Sequence, residues 1–387
     1  MKSSCQWTTA VFGCCLSKNE QRVNTLSIFV VERKGKGKEK KEMKAKELYE
    51  KITWRKYVLL VLFAVTCMLM LIIDVSTGPA QLPISEVFLT IMSPNHSDLT
   101  THVIVWVIRL PMALMAIAVG AALAIAGAEM QTILDNPLAS PYTLGVSAAA
   151  GFGAALALVL GVGVIPYTET VLVPVNAFFF STLTCLLILF ISKIRGVSAE
   201  TMVLAGIALL FLFNSLLALL QYLASEEELQ AVVFWLFGSL LKATWPKLGV
   251  ATSILLVTTP LLLKDAWKLT ALRLGDEKAK SLGLNVERLR LKVFIRISVL
   301  TAAAVCFVGT IGFIGLVGPH IARMLVGEDQ RFFLPLSAFA GAVLLSGSSI
   351  GSKLIVPGAI FPIGIVTSFI GVPFFLSLIL LKRRGFW

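Results

Sequence analysis

The chain has 387 residues, of which 57% are hydrophobic and 14% are charged, and its formal net charge is +12 at pH 7. A soluble domain carries about 25% charged residues, so this composition excludes an ordinary soluble globular protein and indicates a protein of the lipid bilayer. The six cysteines show no CxxC spacing, so neither a disulfide framework nor a metal site is predicted.

The N-terminal end is a basic segment of low complexity. Its run ERKGKGKEKKEMKAKELYEK, residues 32–51, consists mostly of Lys and Glu and cannot bury a core. We predict a solvated cytoplasmic tail over residues 1–54, with Met43 as an alternative start, and a transmembrane domain over residues 55–387. Anionic membrane lipid is a suitable partner for such a tail, and no nucleic-acid partner is expected.

Apolar stretches recur along the rest of the chain, most of them near the roughly 20 residues that a spanning helix needs. These runs are continuous, whereas the strands of a membrane barrel would alternate in polarity. The sequence therefore predicts an all-α, multi-pass protein of the cell membrane with about ten transmembrane helices. The predicted spans are 55–75, 101–130, 142–161, 171–192, 199–223, 245–263, 289–308, 311–326, 333–353 and 361–381.

Basic residues predict the orientation, because Lys and Arg are retained on the cytoplasmic side. With both termini in the cytoplasm, the loops that follow predicted helices 2, 4, 6 and 8 are also cytoplasmic, and they carry most of the basic loop residues. The densest group is GDEKAKSLGLNVERLRLK, residues 275–292, between predicted helices 6 and 7. We call residues 275–292 the charged segment.

The charged segment has the start and stop signals of two short helices. Gly275 breaks the preceding segment, Asp276 is a suitable N-cap, and Glu277 lies in the first turn. Gly283 can supply the left-handed residue that ends this helix, and Asn285 can cap a second helix that continues into the next span. Two helices joined at a sharp turn, one of them continuous with a spanning helix, suit the transmission of force into the membrane.

Four sequence blocks are distinctive in composition and order. They are IRLPMALMAIAVGAALAIAGAEMQTILDNPLASPYTLGVSAAAGFGAALAL (108–158), WLFGSL (235–240), GTIGFIGLVGPHIARMLVGEDQRFFLPLSAFAGAVLL (309–345) and FPIGIVTSFIGVPFFLSLIL (361–380). These blocks resemble the permease subunits of ATP-driven importers for iron–siderophores, haem and cobalamin, the FecCD type. The resemblance covers about residues 55–383 and implies the permease fold of the cobalamin importers.

In the resembled family the loop between helices 6 and 7 sits in a groove of the ATP-hydrolysing subunit. Its Glu-x-Ala-x-x-x-Gly pattern corresponds here to Glu277, Ala279 and Gly283. The resemblance therefore implies that the charged segment is the ATPase contact. The residues assigned to this coupling role are Gly275, Asp276, Glu277, Ala279, Lys280, Gly283 and Leu284.

On the outer face, family members use arginines to dock a substrate-binding protein. The resemblance assigns this role to Arg109, in an Arg-Leu-Pro sequence whose expected second arginine is Met112 here, and to Lys353. Lysine keeps the charge of the usual arginine but loses its two-pronged hydrogen bonding.

Interruptions of the apolar stretches are typical of a packed transport bundle. Asn136, Pro137, Gly315 and Pro319 are predicted helix-break or pathway residues, since backbone groups freed at breaks must be satisfied by protein or by a water-filled path. The small-residue runs GAALAIAGA (120–128) and GFIGLVG (312–318) predict close helix contacts.

The chain lacks a nucleotide-binding phosphate loop, because GSSIGSKL (347–354) has the wrong glycine spacing and ends on Leu354. Glu129 and Asp135 leave an ion-gradient-driven transporter as an alternative, although we expect water to reach both carboxylates at the cytoplasmic boundary. No catalytic constellation and no cofactor are predicted.

The resulting interpretation is a permease subunit, not an enzyme, that imports an iron(III)–siderophore, with haem and cobalamin as alternative cargoes. The implied partners are a second permease subunit, two ATP-binding subunits and an extracytoplasmic binding protein.

Overall fold

The computed structural model describes residues 46–80, 82–93, 98–164, 168–356 and 359–381. The chain divides into two units, Met1–Val58 and Leu59–Trp387. In the first unit the described residues are helical. Most of the predicted tail, with the alternative start at Met43, lies outside the described residues, so that domain boundary stays a prediction.

The predicted all-α membrane fold is confirmed, and each of the ten predicted spans corresponds to one helix. Seven of the described helices are long and apolar enough to cross a membrane, and three shorter apolar helices complete the ten. In chain order the helices are α1 (Lys46–Ser76), α2 (Ile84–Met92), α3 (Leu99–Ile133), α4 (Val146–Leu160), α5 (Glu169–Arg195), α6 (Ala199–Leu223), α7 (Glu226–Leu236), α8 (Trp245–Lys264), α9 (Ala266–Leu272), α10 (Asp276–Ser281), α11 (Val286–Val308), α12 (Ile314–Val326), α13 (Gln330–Leu354) and α14 (Ile363–Leu381).

Three of the short helices, α2, α7 and α9, were not predicted. For α7 a local signal existed, because Ser225 and Glu228 form a reciprocal capping box at its start. Hydropathy alone misses such helices, since they are too short to span the bilayer.

The core is built around α3, whose residues from Pro111 to Ile133 are almost all buried. Its small residues allow two other helices to approach at backbone distance. A Cβ at Gly120 would collide with the backbone of Gly341 in α13, and a Cβ at Gly127 would collide with the carbonyl of Gly315 in α12. The close contacts predicted from the small-residue runs are therefore confirmed, and they pack α3 against both α12 and α13.

The predicted break at Asn136 and Pro137 follows the end of α3. Asp135 has a positive φ of 46°, which ends the helix, and the backbone N–H of Leu138 donates to Asn136 Oδ1 at 2.9 Å. The chain thus turns before Pro137, whose ring prevents a helix from continuing.

Gly315 and Pro319 do not interrupt a helix, because both lie inside α12. The prediction that they break a helix was wrong, whereas a role of Gly315 and Pro319 in the transport pathway stays a prediction. Gly315 serves the close contact with α3, and Pro319 is buried one turn further along the same helix.

Candidate functional site

The charged segment folds as the two capped helices α10 and α11. Gly283 has φ 80°, its N–H donates to the carbonyl of Lys280 at 2.9 Å, and the N–H of Leu284 donates to that of Ala279 at 3.1 Å. This pair of bonds is a Schellman stop, which ends α10 through a left-handed glycine. Asn285 Oδ1 accepts from the N–H of Arg288 at 2.9 Å, so the predicted cap of α11 is also present.

The predicted N-cap role of Asp276 was wrong. Gly275, with φ 97°, holds the N-cap position, and Asp276 is the first residue inside α10. Its carboxylate is therefore free to bind a side chain elsewhere, and it does so with Arg290.

Helix α10 has one buried face and one exposed face. Ala279 is fully buried, whereas Glu277, Lys278 and Lys280 are exposed together with the apolar side chain of Leu282. A surface that combines charges with one exposed leucine on a rigid, capped turn suits contact with another protein subunit.

Arg290 joins α10 to two other parts of the bundle, although only 4% of its side chain is exposed. Its guanidinium holds both carboxylate oxygens of Asp276, at 2.7 and 2.9 Å. It also donates to the carbonyl of Ile133 at 2.7 Å and, more weakly, to that of Val197 at 3.4 Å. Because Ile133 is the last residue of α3, the guanidinium satisfies a carbonyl that the helix leaves unpaired.

A second ionic group lies beside this contact. Arg273 Nη1 binds Asp135 Oδ1 at 2.6 Å, and Arg273 Nη2 binds Glu328 in the turn between α12 and α13. Glu328 is also 3.4 Å from Arg323 Nε, and Arg323 Nη2 donates to Gln131 Oε1 of α3 at 2.8 Å. The turn between α9 and α10 is thus tied to the end of α3.

We expected water to reach the carboxylates of Glu129 and Asp135, and the structure agrees for Asp135 only. Asp135 has 65% of its side chain exposed, but Glu129 is completely buried, and neither of its carboxylate oxygens has a hydrogen bond among the described residues. The expectation for Glu129 was wrong because α3 is surrounded by packed helices, α8 and α11 as well as α12 and α13.

Asp265, directly after α8, accepts from Lys268 Nζ and from Arg296 Nη1, each at 2.7 Å. Burial alone would raise the pKa of Asp265, but hydrogen bonds and charges from Lys268 and Arg296 outweigh burial and hold the pKa below its usual value. A pKa that is lower in the folded state means that ionised Asp265 stabilises the fold. This stabilisation is complete above the ordinary Asp pKa of about 3.9 and is lost as the pH falls through the lowered pKa.

We therefore expect Asp265→Asn to reduce the loss of thermal stability that the protein shows as the pH falls. At neutral pH the variant should unfold at a lower temperature than the wild type, because Arg296 loses its ionic partner. As the pH falls from about 5 to about 2, the gap should narrow, since the wild type loses the same interaction. Thermal unfolding in detergent across this pH range measures the gap, and a gap independent of pH would contradict the assignment.

Arg109 and Lys353, the predicted docking residues, both hold the end of α1. Arg109 is 3% exposed and donates to the carbonyls of Val75 and Ser76 at 3.2 and 3.1 Å, and also to that of Ala80. Arg109 is the last residue of a π-helical stretch, Val103–Arg109, and lies two residues before Pro111. Since Pro111 has no N–H for the regular α-helical bond, a widened turn at this place has a local cause.

Lys353 forms a buried ion pair that the sequence analysis missed. Its Nζ donates to Asp74 Oδ1 and to the Asp74 carbonyl, each at 2.7 Å, and Ser349 Oγ donates to Asp74 Oδ1 at 2.9 Å. Both charged side chains are almost completely buried. The sequence contained a signal for this pair, namely a single carboxylate, Asp74, in one apolar stretch and a single cation, Lys353, in another. Docking through Lys353 and Arg109 stays a prediction, and it requires these contacts to open first.

Comparisons with known proteins identify the family of this chain. The FecCD transport family model matches residues 64–382. The chain belongs to the FecCD transport family. A hemin transport system permease of Yersinia pestis is 37% identical over 82% of this chain and 95% of its own length, and a vitamin B12 import system permease of Vibrio vulnificus is 35% identical over 81% and 93%.

Among solved structures, an inward-facing metal-chelate type ABC transporter aligns with a TM-score of 0.73 and 30% identity, over 84% of this chain and 99% of that one. As a FecCD family member, the chain is a multi-pass membrane permease subunit of an ABC importer. In this family, ATP hydrolysis belongs to separate subunits, and membership disfavours the ion-gradient alternative.

Proposed function

We propose that this permease imports an iron(III)–siderophore that an extracytoplasmic binding protein delivers. Two permease subunits, either identical or similar, would enclose the pathway, and two ATP-binding subunits would drive it. The iron-bearing cargo in the name of the Yersinia relative and the metal-chelate type of the solved structure support this cargo class. Haem and cobalamin are the alternatives that the two relatives' names supply.

The observation that carries the coupling proposal is the exposed, rigidly capped turn of α10. Glu277, Lys280 and Leu282 project outward, and the Schellman stop at Gly283 fixes their direction. We infer that this face binds the ATPase, so that ATP binding displaces α10 and switches the pathway between outward- and inward-facing arrangements. This placement requires the charged segment and both chain termini to be cytoplasmic, as the distribution of basic residues favours.

We expect Gly283→Val to uncouple transport from ATP hydrolysis. A β-branched residue resists the left-handed conformation, so α10 would end differently and its exposed face would be misdirected. No atom lies within 4 Å of a Cβ built at Gly283, and the defect should therefore be local. ATPase copurification and cargo uptake per ATP hydrolysed, in proteoliposomes, measure the effect.

Gly161→Val is the matched control for this experiment. Gly161 ends α4 with φ 62°, and a Cβ there would also meet nothing within 4 Å, so the substitution introduces similar backbone strain away from the charged segment. Wild-type uptake and ATPase recovery in the Gly283→Val protein would refute the coupling role of the α10 turn.

The cargo is tested by uptake of three radiolabelled probes into proteoliposomes that contain the complete importer. The probes are a ferric hydroxamate siderophore, hemin and cobalamin, each presented with the cognate binding protein. Uptake of the siderophore alone would support the proposal. ATP-dependent uptake of hemin or cobalamin in its place would reassign the cargo and leave the permease function intact.

A further inference from the structure

We infer that Arg290 and Arg273 are positioning residues that carry the displacement of α10 into the cytoplasmic end of α3. The inference rests on the proposed ATPase contact and adds the physical route from that contact into the bundle. It is carried by the two ionic groups that surround the turn after α3.

The first connection runs through Arg290. Its guanidinium is nearly inaccessible to water and forms two parallel bonds with the Asp276 carboxylate, an arrangement that fixes direction as well as distance. The same guanidinium holds the final carbonyl of α3, at Ile133. A shift of Asp276 therefore pulls on α3 through one rigid planar group and not through a flexible loop.

The second connection runs through Arg273, in the turn immediately before α10. It binds Asp135, two residues beyond the end of α3, and Glu328, in the turn between α12 and α13. Arg323 extends this group back to Gln131, inside the last turns of α3. Two separate ionic contacts thus clamp α10 and its preceding turn to the same end of the same helix.

The consequence for transport follows from the packing of α3. This helix meets α12 and α13 at backbone distance through Gly127 and Gly120, so it cannot bend independently of them. A pull on its cytoplasmic end is passed to α12 and α13 as a movement of packed rigid helices. Asp135, the positive-φ residue that follows the end of α3, is also the residue that Arg273 binds. A displacement of Arg273 therefore acts directly on the end of α3.

Arg290→Lys and Arg273→Lys are the test variants. Lysine retains the charge but lacks the planar fork that holds two partners at once. At position 290 it cannot hold Asp276 and the Ile133 carbonyl together, and at position 273 it cannot hold Asp135 and Glu328 together. Both leave the exposed residues of α10 unchanged. The matched control is Arg296→Lys, because Arg296 lies on the same helix α11 but binds Asp265 and the Leu261 carbonyl, at the end of α8.

The experiment uses the assembled importer, permease with its ATPase subunits, and needs no cargo. Amide hydrogen exchange of residues 131–139 is measured with and without a non-hydrolysable ATP analogue. We expect the nucleotide to change exchange there in the wild type and in Arg296→Lys. In Arg290→Lys and Arg273→Lys the change should be lost, although the ATPase still copurifies and hydrolyses ATP.

The outcomes separate this inference from the proposed function. A nucleotide response that persists in both test variants would overturn the positioning role. Loss of ATPase binding in these variants, but not in Arg296→Lys, would also overturn it, since the ionic group would then only hold the contact surface in place. If the wild-type permease does not bind an ATPase at all, the proposed function fails and the inference fails with it.

Discussion

We expect Lys353→Met to lower the free energy of unfolding by about 3–5 kcal/mol, the range observed when one partner of a buried ion pair is removed. The reason is that the completely buried Asp74 would keep only the Ser349 hydroxyl as a side-chain partner. Its carboxylate would either remain charged without a counter-ion or take up a proton, and both cost free energy. Chaotrope-induced unfolding of the purified permease in detergent measures the loss. Because the pair links α1 to α13, we also expect α1 to become susceptible to proteolysis in the variant.

Two further variants make this result specific. The double variant Asp74→Leu, Lys353→Met removes both charges and should recover most of the lost stability, because replacing a whole buried pair with apolar groups is often neutral. Lys242→Met, at an exposed lysine, should change stability little. If Lys353→Met is as stable as the wild type, Asp74 and Lys353 are not a buried ion pair in the membrane.

Gly127→Val should be the most damaging substitution in the bundle core. A Cβ at this position would overlap the carbonyl of Gly315, and the obstacle is backbone that cannot rotate away. Overpacking typically costs about 1–3 kcal/mol, and we expect the upper end or beyond because α3 and α12 must separate. The measurement is the yield of folded, monodisperse permease and its thermal unfolding in detergent.

Gly249→Val is the control for the same change within a spanning helix. Gly249 lies in α8, and a Cβ there would meet no other atom within 4 Å. The control also replaces a glycine inside a helix by valine, but the new side chain meets no neighbouring atom. Equal stability of the two variants would show that α3 and α12 do not meet at backbone distance.

The positions of the ten apolar helices, the stop of α10 and the cap of α11 could be predicted from the sequence, because they depend on local properties. A run of apolar residues long enough to cross the bilayer has few alternatives to a helix, since every backbone group in lipid must bond within the segment. Gly283 and Asn285 were assigned correctly for a similar reason. A left-handed stop and a side-chain cap act on residues within one turn.

The small-residue runs also predicted close packing correctly, but they did not identify the partners. Only the folded chain pairs Gly120 with Gly341 and Gly127 with Gly315, because the choice depends on how three helices cross. Pro319 was wrongly predicted to break a helix because the packing around α12 is also not visible in the sequence. A proline can remain inside a helix when neighbouring helices satisfy the backbone groups that it frees.

The tertiary structure alone decided what the charged side chains do. Asp276 pairs with Arg290, 14 residues away, and Lys353 pairs with Asp74, 279 residues away. No local rule selects one partner from many over such separations. A charge drawn into an apolar bundle must find a partner or water, and the packing of α1, α3, α11 and α13 determines which partner is within reach.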